Sequence, residues 1–115
     1  MKTDKLVMYR YWEKTTEDLL ARTEKFPKAV RFTLTQRVEN LAIDVLEELV
    51  VARYRTGPVR ATALETIDLK LARLRALLRL CHSRQALCHK GYGSVSLAVD
   101  EMGRMVGGWR QRQKV

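Results

Sequence analysis

Interruptions are scarce in this sequence. Two prolines and six glycines are spread over 115 residues, while Leu, Ala, Arg, Glu and Lys dominate, a profile of long helices rather than of short strands joined by turns. No apolar run approaches the roughly 18 residues needed to span a bilayer. Met1-Lys2-Thr3-Asp4-Lys5 is not followed by the apolar core of a signal peptide. A soluble, cytoplasmic chain with no membrane contact is therefore expected. Internal repeats and low-complexity tracts are missing too, so the 46% hydrophobic content is expected to serve one core in a single domain over residues 1–115.

Cysteine and histidine are nearly absent. Cys81 and Cys88 are the only cysteines; in what reads as one helix they stand two turns, on the order of 10 Å, apart. They cannot bridge without unwinding that helix, and are expected as buried reduced thiols in a reducing compartment. His82 and His89 are likewise expected two turns apart, with no carboxylate of their helix at i±3 or i±4. They read as surface or interface histidines, not as a metal or acid–base pair. A glycine-rich phosphate loop is missing, and Gly103 and Gly107 lie inside a helix, where small residues four apart allow close approach of a neighbour. Glu39, Asp44, Glu47 and Glu48 lack the Glu-x-x-His motif of metal-binding bundles and read as a solvated face or as partners of nearby arginines. No catalytic residue, metal or cofactor is expected, which makes this a binding protein and not an enzyme.

Helical periodicity is what the sequence does contain. Residues 5–23 carry Met8, Trp12, Leu19 and Leu20 at helical spacing, with Leu6 and Tyr9 beside them and a polar interruption over residues 13–18. Phe26-Pro27 breaks the pattern. A second helix is expected over residues 29–54, with Leu34, Val38, Leu41, Ala42, Val45, Leu46, Leu49 and Ala52 on one face. Thr56-Gly57-Pro58 supplies a stop and a restart. A third helix over residues 59–90 carries the core series Leu64, Ile67, Leu71, Leu74, Leu78, Cys81 and Cys88. Gly91-Tyr92-Gly93 is expected to end it, Ser94 to cap a fourth helix through Trp109, and residues 110–115 to fray. The expected fold is all-α, an antiparallel up-down-up-down four-helix bundle.

The third helix has a second apolar line, Leu69, Ala76, Leu80 and Leu87, opposite the first. A helix apolar on two opposite faces is buried on both. The line is expected at an interface between subunits, the alternative being cover from a terminal segment or a long loop.

Charge is the strongest functional signal. Twenty-two Lys plus Arg against 13 Asp plus Glu leave +9, enough to build a positive field over a small surface. Residues 1–24 hold five cations and five acids, whereas residues 58–92 hold seven cations and two acids, net +5. Lys70, Arg73, Arg75, Arg79, Arg84 and Lys90 lie along the third helix, followed by Arg104, Arg110, Arg112 and Lys114. Lys70, Arg73, Arg75, Arg79, Arg84, Lys90, Arg104 and Arg110 are the expected nucleic-acid contacts. Arginine binds phosphate bidentately and stacks on bases, which suits RNA or single strands. The alternative is a solubilising face balanced by acids elsewhere in an assembly. Asp68, beside the core stripe of a cationic helix, is expected to pair with a neighbouring arginine or to cap a contact.

The run Leu71-Ala-Arg-Leu-Arg-Ala-Leu-Leu-Arg-Leu-Cys81, followed by Asp100-Glu-Met-Gly-Arg-Met-Val-Gly-Gly-Trp109, resembles the accessory variability determinant (Avd) proteins of diversity-generating retroelements. Phe26-Pro27-Lys28 with Phe32-Thr-Leu-Thr-Gln-Arg37 is similar to the first helix junction of the wider four-helix-bundle group, which includes proteins encoded within ribosomal RNA intervening sequences. The resemblance covers nearly the whole chain and implies a homopentameric barrel of four-helix bundles with a positive surface. It also implies the partners, a reverse transcriptase and its template RNA, and a role in mutagenic cDNA synthesis and retrohoming. The wider group leaves open a structural scaffold with no specific nucleic-acid role. No catalytic assignment carries over, because the chemistry would belong to the polymerase. Arg104, Gly107, Gly108 and Trp109 fit a structural role as readily as a functional one, and Cys81-His82 and Cys88-His89 have no counterpart in the family pattern.

Overall fold

The structure is a computed structural model that describes residues 5–113; Lys114, expected among the cations, lies outside the described residues, as do residues 1–4. The described residues form four α-helices and no strand: α1 Lys5–Thr23, α2 Gln36–Tyr54, α3 Gly57–Ser83 and α4 His89–Gln113. The helix α1 packs on α2 and α4, and α3 on the same two, so the four enclose one core in a molecule measuring 46 × 26 × 19 Å. None of these helices is long and apolar enough to cross a membrane.

The polar stretch in α1 does not interrupt it. Thr15 and Thr16 take the core-facing positions between Trp12 and Leu19, and Thr15 satisfies its hydroxyl by donating to the Tyr11 carbonyl at 2.9 Å. Trp12, fully buried, donates its indole N–H to the Ala42 carbonyl at 2.8 Å and fixes α1 against α2. At the end of α1, the Thr23 hydroxyl lies 2.5 Å from the Glu39 carboxylate.

The chain does not enter α2 directly after Pro27. A 3-10 turn over Lys28–Val30 and a π turn over Arg31–Thr35 come first, pinned by Phe26 and Leu34, which are both buried. At the other end of α2, Gly57 adopts φ +58°, the left-handed geometry that glycine takes without steric cost, and α3 begins there with Pro58 in its first turn. Arg60 closes the corner: its Nε donates to the Ala52 carbonyl at 2.7 Å, occupying an acceptor that the end of α2 leaves open.

The third helix is shorter than its apolar repeat suggests. It stops at Ser83 because Gln85 turns left-handed, φ 63°. The Ala86 N–H then reaches back to the Cys81 carbonyl at 2.9 Å and the Gln85 N–H to the His82 carbonyl at 3.0 Å, the paired bonds of a Schellman C-cap. Cys81 and Cys88 consequently belong to different elements, Cys81 buried in the core and Cys88 exposed, and both are free thiols. Cys88 stands immediately before α4, its Sγ accepting the Gly91 N–H at 3.3 Å. That is the place expected of Ser94, which instead lies one turn inside the helix. The glycines at 91 and 93 sit in the first turns of α4 rather than ending α3, and α4 continues through Gln113 where fraying was expected.

Candidate nucleic-acid interface

Pairing divides the eight expected cations in half. Lys70 meets Asp44 of α2 at 3.2 Å, Arg75 meets Asp100 of α4 at 3.0 Å, and Arg110 of α4 meets Asp68 of α3 at 3.1 Å. Arg104 holds Glu101, one turn away, at 2.6 Å, and the hydrogen bond and charge of Glu101 push the Arg104 guanidinium above its ordinary pKa. The Asp68 pair is the arginine contact expected for that residue. These four cations are largely neutralised where they stand, and three of them tie α3 to its neighbours. Arg73, Arg79, Arg84 and Lys90 are exposed and have no ion-pair or hydrogen-bond partner among the described residues.

The free cations lie where acids are missing. Residues 69–99 contain six Lys or Arg and no acid, and residues 25–38 contain four and no acid. The second stretch, Lys25, Lys28, Arg31 and Arg37, is equally exposed and equally without partners among the described residues. It lies outside the expected site on the longer basic helix, although the acid-free run itself is visible in the sequence. The two connections meet in space. A cleft of about 470 Å³ has Lys25, Phe26 and the ion-paired Asp18 and Arg22 on one wall and Ala86, Leu87 and Cys88 on the other. One end of the bundle thus gathers Lys25 with the α3–α4 corner, which Arg84 and Lys90 flank.

That corner also corrects the placement of the histidines. The early end of α3 brings the His82 and His89 rings to 5.5 Å between centroids, not two helical turns apart, and His82 stacks on Tyr92 at 4.5 Å and 9°. No group of three or more metal-ligating side chains forms among the described residues.

The outward face of α3 carries a seam. Val59, Thr62, Thr66, Leu69, Arg73, Ala76 and Leu80 alternate three and four positions apart, the spacing of a helix that packs against another helix through knobs and holes. Leu69 and Leu80 are 63% and 45% exposed, and Ala76 is exposed between them. Leu87, expected on this line, is not part of it. The chain has already turned at Gln85, and Leu87 is only 4% exposed, within the core. Shallow grooves flank the seam along α2, one of about 370 Å³ touching Val51, Val59 and Thr66 and one of about 440 Å³ touching Arg37, Arg73 and Ala76.

A family model described as bAvd-like matches residues 6–113. The chain belongs to the bAvd-like family. No curated protein and no solved structure matches it.

In this bAvd-like chain Gly103 and Trp109 of α4 have packing roles. Trp109 is buried, with Lys5 and Arg60 each 5.3 Å from its ring centroid, so two cations from α1 and α3 close on one indole. Gly103 does not serve close backbone packing. A Cβ there would stand 2.7 Å from Arg75 Nη2, so the missing side chain makes room for the guanidinium that pairs with Asp100. Gly107 has nothing within 4 Å of a Cβ position, and the close helix approach expected of the glycine pair is not formed within the chain.

Proposed function

We propose that this bAvd-like protein is a non-catalytic accessory subunit of a diversity-generating retroelement, cytoplasmic, that binds the reverse transcriptase and its template RNA and supports mutagenic cDNA synthesis and retrohoming. The observation that carries the reading is the set of unpaired cations on the two acid-free stretches. Cations with no acid beside them attract phosphate without first breaking an ion pair. Arg79, Arg84 and Lys90 are the contacts, with Arg73 set apart because it stands in the α3 seam.

The seam supports assembly into a homopentamer of antiparallel up-down-up-down bundles, with Leu69, Ala76 and Leu80 between copies. A charged residue in such a seam fixes register and orientation, and Arg73 is suited to reaching an acid on a neighbouring copy. An assembly of five would multiply a charge of +9 per chain and make binding steeply salt-dependent.

A scaffold of the intervening-sequence type is the second reading. It is favoured by the internal pairing of Lys70, Arg75 and Arg110, by which part of the positive charge holds helices together. Co-purification with the retroelement polymerase, with mass measured by light scattering, separates the two. The accessory reading expects a pentamer retained with polymerase and RNA, and a Leu69→Glu, Leu80→Glu variant reduced to a folded monomer. A wild-type chain that retains neither partner would leave only the scaffold.

A further inference from the structure

Phe32 is the most exposed large apolar side chain of the described residues, at 80%. A single exposed apolar residue needs no explanation by itself, but the setting of this one is unusual. It sits in the π turn Arg31–Thr35, and π turns inside helical chains are enriched at functional sites. Buried Phe26 and Leu34 anchor the chain on either side of it, so the ring is presented from a fixed support. Lys25, Lys28, Arg31 and Arg37 surround it in sequence, all exposed and unpaired among the described residues, and no acid lies between residues 25 and 38.

We infer that the connection between α1 and α2 is a single-stranded nucleic-acid contact, in which an unpaired base stacks on Phe32 while Lys28 and Arg31 hold the flanking phosphates. An apolar protein partner would be met by a broader greasy surface with fewer cations at its centre, whereas an aromatic ring among cations is the arrangement that engages a strand whose bases are free. Bases inside an A-form duplex are already stacked on each other and cannot reach the ring. The stretch therefore distinguishes single strands from duplex, which the α3 cations, acting on phosphate alone, cannot do. This rests on the nucleic-acid reading above and adds to it the form of nucleic acid recognised.

The test compares a fluorescent single-stranded RNA oligomer with a blunt RNA duplex of the same length, on the full chain and its variants. Phe32→Ala is expected to weaken single-strand binding roughly 5- to 100-fold and to leave duplex binding unchanged. Phe32→Trp should keep single-strand affinity, with the new indole emission quenched on binding. Lys28→Ala with Arg31→Ala should weaken both substrates and lower the salt slope. Equal affinity of Phe32→Ala and wild type for the single strand would overturn the inference while leaving the nucleic-acid reading intact. Loss of polymerase retention with RNA affinity unchanged would also overturn it, assigning Phe32 to a protein contact. Failure of the wild-type chain to bind either RNA would remove both readings.

Discussion

At the scale of single residues, the two cysteines report the fold most directly. Burial pushes the Cys81 thiol up to about 11 from an ordinary 9.0, while Cys88 is exposed before α4. A disulfide-exchange reagent at pH 8 is therefore expected to titrate one thiol in the native chain and two in denaturant; two fast thiols in the native state would contradict the placement of Cys81. The pH dependence has a definite sign. Between about 9 and 11 the folded chain keeps a proton on Cys81 that the unfolded chain has lost. The contribution is complete below 9 and declines as pH rises toward 11. Urea midpoints over that range should fall less steeply for Cys81→Ala than for wild type.

At the scale of elements, the α3–α4 corner decides most of what the sequence left hidden. Glycine is the residue that usually marks a left-handed C-cap, and here the position is filled by Gln85, so the apolar heptad runs on through Cys88 in the sequence. Without a glycine there, the sequence pattern places Leu87, Cys88 and both histidines on α3, whereas α3 ends at Ser83. The corner also makes a prediction: Gln85→Gly should stabilise the fold by about 0.5–1 kcal/mol, and Gln85→Val should destabilise it by about 1 kcal/mol or more. Equal stability of all three in urea denaturation would mean that the corner is not held left-handed. Elsewhere the helical pattern is legible to within a few residues, because series such as Leu64, Ile67, Leu71, Leu74 and Leu78 repeat at helical spacing and are all buried. The entry to α2 is not, since Pro27 announces a break without specifying the 3-10 and π turns that follow. Thr15 reads as part of a polar interruption in the sequence, although a threonine can fill a core position once its hydroxyl bonds the preceding turn.

At the scale of the whole molecule, sequence shows which cations exist and geometry shows which are free. The Arg75–Asp100 and Arg110–Asp68 pairs join residues 25 and 42 positions apart, a distance over which no local pattern reveals a partner. Exposed pairs of this kind stabilise by only about 0–1 kcal/mol each, so their larger consequence is electrostatic: together with Lys70–Asp44 and Arg104–Glu101 they remove four of eight expected contacts from the surface field. The remaining charge is concentrated where the two acid-free connections meet.

The most direct test is the affinity of the chain for a single-stranded RNA, measured across a salt series, for wild type and for a triple variant Arg79→Ala, Arg84→Ala, Lys90→Ala. Loss of three phosphate contacts on a single strand should reduce the slope of log affinity against log salt by about 2, while a variant of the paired Arg75 and Arg110 changes it far less. An unchanged slope in the triple variant, or an equal loss from the paired set, would contradict the assignment of nucleic-acid binding to the free cations.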